Sequence, residues 1–128
     1  MFFECFSPTK IIFGRGRLKE LGCISLKLGS KALVICGRSA IQEGGALKTV
    51  VDLLKASSIE VAIYDQIIPN PTSARIEEAI ILAKHHNSQF VIGLGGGSVI
   101  DSAKAVAVGV CLPAQSIDDL IGKIRSEE

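Results

Sequence analysis

The sequence predicts an α/β fold: an open, mostly parallel sheet with helices on both faces, entered through an N-terminal β-hairpin. Three observations carry that prediction. Short apolar runs at 32–36 and 90–94, both uncharged, and an alternating, mainly apolar run at 59–64 are interleaved with segments of helical periodicity at 46–56, 72–85 and 98–110. The last run ends at three adjacent glycines, Gly95-Gly96-Gly97, followed by a helix start. Hydrophobic residues make up 48% of the chain and aromatics only 5%, with no Trp, so the core falls to Ile, Leu, Val and Ala, as in strands buried on both faces.

In chain order, residues 2–6 and 10–13 read as the two arms of the hairpin around Ser7-Pro8-Thr9, where proline fixes one dihedral. Such a hairpin either covers a sheet edge or presents one to a second subunit. Residues 17–21 form a helical turn or two, stopped by Gly22, with a loop through Gly29. The buried strand 32–36 stops at Gly37-Arg38-Ser39, the first loop at a strand's carboxyl end, where open α/β sheets take ligands. Residues 46–56 carry Leu47, Val50, Val51, Leu53 and Leu54 on one stripe and Lys48, Asp52 and Lys55 on another.

The second strand, 59–64, ends in Asp65-Gln66. Pro69-Asn70-Pro71-Thr72 then forces an extended turn, because each proline restricts the residue before it, and Thr72 or Ser73 caps the helix 72–85. His85 and His86 are adjacent and point to different sides of a helix, so they suit its C-terminal turn rather than a metal.

Ser98 followed by Asp101 is an N-cap pattern for the last long helix, which ends at Cys111-Leu112-Pro113. Ser116 is placed as the cap of a final short turn, and residues 123–128 as a charged tail.

The strand, bare loop and helix start at 90–98 make an anion site. The first N–H groups of a helix lack partners inside it and carry the positive end of its dipole, and glycines let a bulky phosphate approach the backbone. Gly93, Gly95 and Ser98 only approximate the common dinucleotide fingerprint, and no Lys follows the loop as in a Walker motif. Asp101 would repel a phosphate, so it is expected to cap the backbone or to meet a ribose hydroxyl. Right-handed strand–helix–strand crossovers would bring Gly37, Asn70 and Gly95 to Ser98 to one edge of the sheet. The fold is then Rossmann-like, a single dinucleotide-binding domain over residues 1–128.

Composition narrows the classes further. Lys and Arg number 14 against 13 Asp and Glu, a formal charge of +1, which excludes nucleic acid as a charge-driven partner. No apolar run approaches the ~20 residues of a spanning helix and the start lacks a basic leader, so a soluble cytoplasmic protein is expected. Cys5, Cys23, Cys36 and Cys111 fit no zinc spacing and are expected to be free, mostly buried thiols.

The run Gly95-Gly96-Gly97-Ser98-x-x-Asp101-x-Ala103-Lys104 resembles the signature of the iron-containing (group III) alcohol dehydrogenases. Pro69-Asn70-Pro71-Thr72 matches a second motif of that family, and Pro8-Thr9-Lys10-Ile11-Ile12-Phe13-Gly14-x-Gly16 is similar to its N-terminal strand. The resemblance implies hydride transfer between a nicotinamide dinucleotide and a small alcohol or aldehyde, and a homodimer paired through the N-terminal region. It places Gly37, Arg38, Ser39, Asn70, Gly95, Gly96, Gly97, Ser98 and Asp101 at the cofactor.

Family members often carry an acidic residue where Gly37 stands. Glycine, arginine and a hydroxyl together favour a 2′-phosphate, so NADP is expected over NAD. The resemblance also implies a divalent metal, iron or zinc, held by one Asp and three His of a following helical domain. None of those ligands is recognised here, so this chain is expected to hold no catalytic or metal residue and to be inactive by itself. Two alternatives stand beside this reading. One is half of a glycerol dehydrogenase or dehydroquinate synthase relative, and the other a non-catalytic nucleotide-binding module from a truncated gene.

Overall fold

The computed structural model describes residues 2, 4, 6–42 and 45–113. After a 3-10 turn at Arg17–Glu20, the elements are α1 (Leu21–Ser25), β1 (Lys31–Gly37), α2 (Ser39–Gln42), α3 (Ala46–Ala56), β2 (Glu60–Ile67), α4 (Ser73–His86), β3 (Phe90–Leu94) and α5 (Gly97–Cys111). The three strands form one parallel sheet in the order β2-β1-β3. A parallel pair needs a long crossover, and α3 and α4 supply the two crossovers.

The central strand explains why the sequence has no polar residue between Ala32 and Cys36, all of which are fully buried. Successive side chains alternate between faces. Leu33 and Ile35 join Ile76, Ala79 and Ile80 of α4 and Val99, Ala103 and Val106 of α5, while Ala32 and Val34 join Val50 and Leu54 of α3. Helices therefore cover both faces, as the uncharged run of the central strand requires. Truncating Leu33 to Ala in such a core costs about 2–5 kcal/mol.

Several expectations are corrected. Among the described residues no N-terminal hairpin forms: Lys10 to Phe13 is not a strand. Phe2, Phe6, Ile11 and Phe13 are each more than four-fifths exposed, so no burial offsets the entropy of ordering two strands. Gly22 does not stop the first helix but lies buried within α1. A Cβ there would come 2.2 Å from Ser57 Oγ and 2.8 Å from the Leu53 carbonyl, so the residue lets α1 and α3 approach. β2 runs three residues past Tyr64, and Ser39 begins a short helix rather than a loop. Cys23, Cys36 and Cys111 are free as expected, but of these three only Cys36 is buried, and Cys5 lies outside the described residues.

At the end of α4, Asn87 adopts the left-handed conformation (φ 56°) that closes a helix, and His86 Nδ1 lies 2.9 Å from Ser88 Oγ. The expected turn after Ser116 and the charged tail lie outside the described residues.

Candidate functional site

A cleft of about 420 Å³ opens at the carboxyl ends of the strands. Gly37, Arg38 and Ser39 after β1 form one wall, and Gly96, Gly97 and Ser98 at the start of α5 form the other, with Ile67, Ile68 and Pro69 after β2 and Val99 completing it. Open α/β sheets bind ligands at this edge, where successive connections leave the central strand in opposite directions. β1 is that strand here, flanked by both of its neighbours.

The glycines of this stretch divide by physical role. Gly93 faces α5, where a Cβ would stand 3.0 Å from the Ala103 Cβ, so its bareness is a packing requirement. Gly95 has φ +154°, and a Cβ would meet Val99 Cγ2 at 2.8 Å, so it shapes the turn. Gly96 and Gly97 have no such reason. Neither has positive φ, and a Cβ on either would meet nothing within 4 Å. Both border the cleft. Their missing side chains leave open a space that no described residue fills.

The expected N-cap is corrected as well. Gly96, extended at φ −83° and ψ −165°, takes the cap position, and no side chain caps the helix. Its carbonyl accepts from Val99 and Ile100 N–H, at 3.1 and 3.0 Å, and Ser98 lies in the first turn, its carbonyl accepting from Ser102 Oγ at 2.7 Å. The first N–H groups of α5, on Gly97 and Ser98, precede any intrahelical acceptor and face the cleft end of a 15-residue helix. Free N–H groups at a helix start are the usual setting for an anion.

Arg38 is the cation of the cleft wall, and its Nη2 donates to Gln66 Oε1 at 3.3 Å. Asn70 follows Pro69 with a left-handed backbone (φ 54°) but does not line the cleft. Gly95 and Asp101 do not line it either, and the Asp101 carboxylate is 78% exposed, 3.8 Å from Lys104 Nζ. Six of the nine expected site residues thus border one space. Sequence reading missed the wall of Ile67, Ile68 and Val99, for which the pair of isoleucines before Pro69 was the available signal.

Groups with shifted ionisation stand elsewhere. Burial, and behind it the Asp65 carboxylate, pushes the Cys36 thiol above its usual range. Burial also pushes Tyr64 up to about 12, helped by its hydrogen bond to Glu78 Oε2 at 2.6 Å. That hydrogen bond and Arg75 hold Glu78 below the usual carboxylate range. None of these lines the cleft, and among the described residues no group of three His, Cys, Asp or Glu could hold a metal ion. The arrangement offers backbone donors and one cation to an anion-bearing ligand, and the described residues lining it include no acid–base pair.

A larger groove, about 670 Å³, lies between Ile12 and Phe13 of the N-terminal segment and Leu18, Leu21 and Ile24. Its lining is mainly apolar, with Arg15 and Arg17 beside it, and includes none of the residues at the strands' carboxyl ends.

Residues 8–128 match the iron-containing alcohol dehydrogenase family. The chain is 34% identical over 126 residues to the probable NADH-dependent butanol dehydrogenase 2 of Bacillus subtilis, covering 98% of this chain and 32% of that protein. It is 31% identical over 113 residues to the NADPH-dependent butanol dehydrogenase of Clostridium saccharobutylicum, covering 88% of this chain and 28% of the other. The solved NADH-dependent butanol dehydrogenase A of Thermotoga maritima superposes with a TM-score of 0.84 at 40% identity, over 92% of this chain and 30% of that one. The chain thus spans about a third of the length of the relatives it matches.

Proposed function

The chain belongs to the iron-containing alcohol dehydrogenase family, and on that premise we propose that it is the nicotinamide-dinucleotide-binding domain of a metal-dependent alcohol dehydrogenase. The observation that carries this is the open space at Gly96 and Gly97 beside the uncapped amides of α5. A diphosphate fits there without meeting a Cβ, and the helix terminus offers it donors and positive potential. When bound, the nicotinamide supplies hydride transfer to or from a small alcohol or aldehyde.

The chain's own residues bind and orient. Gly97 and Ser98 N–H groups hold the diphosphate, Gly95 sets the turn that aims them, and Gly37, Arg38 and Ser39 receive the adenine-side ribose. Asn70, next to the cleft wall, is assigned a polar contact to the cofactor, and Asp101 a ribose hydroxyl beyond the cleft lining. The described residues do not fit a metal ion, and no metal step is assigned to them.

NADP is the preferred cofactor in this reading. No carboxylate stands among Gly37, Arg38 and Ser39 to repel a 2′-phosphate, and Arg38 supplies a cation for it. Relatives are named for both NADH and NADPH, so the choice rests on these residues. Calorimetric titration of the purified chain with NADP⁺ and NAD⁺ tests it: tighter NADP⁺ binding is expected. Equal or tighter NAD⁺ binding refutes the preference, and failure to bind either refutes the domain assignment.

A homodimer is proposed through the exposed Phe2, Phe6, Ile11 and Phe13, an apolar segment of the kind that marks interaction sites. A cytoplasmic setting agrees with the free thiols of Cys23, Cys36 and Cys111. No described helix is long and apolar enough to cross a membrane.

A further inference from the structure

The strands β1 and β2 pair in step from Lys31 with Glu60 to Ile35 with Tyr64, but the next pair is Gly37 with Ile67. β2 has therefore gained one residue: Asp65 and Gln66 together stand opposite Cys36. A bulge of this kind re-aims a side chain, and bulges recur beside functional sites. Here it lies one residue before the cleft wall at Ile67.

Gln66 spans two charges. Its Nε2 donates to Asp65 Oδ1 at 2.6 Å, and its Oε1 accepts from Arg38 Nη2 at 3.3 Å. The carboxylate and the guanidinium together fix which way the amide points. A neutral group thus reaches the Arg38 guanidinium while the Asp65 carboxylate is occupied by the amide's N–H. Arg38 keeps its full positive charge and its remaining N–H donors for a ligand. Gln66 itself does not line the cleft, whereas Arg38 does.

We propose that Gln66 is a positioning residue for cofactor selection, holding the Arg38 guanidinium at the cleft wall without neutralising it, so that it takes the 2′-phosphate of NADP. This rests on the reading of Arg38 as the 2′-phosphate contact. A glutamate at this position would pair with Arg38 directly and repel the phosphate; a leucine would free the guanidinium to wander.

The test is calorimetric titration of the purified chain and of Gln66→Leu, Gln66→Glu, Arg38→Leu and the double variant Gln66→Leu/Arg38→Leu with NADP⁺ and NAD⁺. The readout is the ratio of the two affinities, which general loosening of the fold would leave unchanged. Gln66→Leu is expected to lower the preference for NADP⁺ by about fivefold, as loss of one hydrogen bond implies, with NAD⁺ affinity unchanged. Gln66→Glu, nearly isosteric and so the variant that keeps the test alive should leucine impair folding, should lower it by about tenfold or more. Arg38→Leu should abolish the preference, and adding Gln66→Leu to it should change nothing further.

If Arg38→Leu loses the preference while both Gln66 variants keep it, or if the Gln66 variants weaken both nucleotides equally, the role of Gln66 is overturned and that of Arg38 stands. If Arg38→Leu keeps the preference, or the wild-type chain has none, the Arg38 reading falls and this inference with it.

Discussion

Replacing Gly97 by Ala separates the needs of the fold from the needs of the ligand. The position is the first residue of α5, has no positive φ, and a Cβ there meets nothing within 4 Å. Glycine loses more backbone freedom on folding than alanine, so Gly97→Ala should leave stability unchanged or raise it by up to about 1 kcal/mol. The added methyl enters the space claimed for the diphosphate and pushes it off the Gly97 and Ser98 amides. Losing one charge-assisted hydrogen bond of about 1.5–3 kcal/mol raises Kd by about 10- to 150-fold. Thermal unfolding and NADP⁺ calorimetry on the same sample check both halves. A variant that binds as tightly as wild type, or one that loses binding because it melts lower, would refute the reasoning.

Other substitutions should behave differently. Gly93→Ala, whose Cβ would stand 3.0 Å from Ala103 Cβ, should lose about 1–3 kcal/mol of stability in urea unfolding. Gly22→Ala should be at least as damaging, since its Cβ would meet a backbone carbonyl at 2.8 Å. The single Tyr makes alkaline behaviour easy to follow. Tyr64 is raised in the folded state from 10.0 to about 12, so the folded chain keeps a proton that the unfolded chain has lost. Stability should therefore fall as pH rises from 10 towards 12, with tyrosinate absorbance appearing late, and Tyr64→Phe should remove that part of the fall. Phe6→Glu with Phe13→Glu should convert the proposed dimer to monomer by light scattering; an unchanged mass would exclude this segment as the interface.

What the sequence made legible was local. β3 and α3 have the boundaries read from their patterns, because an uncharged branched run and an apolar stripe identify themselves without a partner. The glycine loop was legible for the same reason, and so were the residues at the end of β1. The errors arose where a distant residue decides. Gly22 looks like a helix stop until Ser57 is packed against it. Asp65-Gln66 reads as the end of a strand, and only pairing with β1 shows a bulge with β2 continuing to Ile67. Ser98 is a good cap by type, but Gly96, which needs no side chain to adopt the cap conformation, starts the helix first. The N-terminal segment has strand-like composition, and composition does not provide the surface it must pair with. Ile67, Ile68 and Val99 became part of the site only through topology.

Whether the bare amides at the start of α5 hold a diphosphate is read residue by residue from backbone amide NMR of the isotopically labelled chain during titration with NADP⁺. The Gly96, Gly97 and Ser98 resonances should shift most, together with those of Arg38 and Ser39. Shifts centred on Leu21 and Ile24 of the N-terminal groove, with the glycine loop unmoved, would contradict that binding.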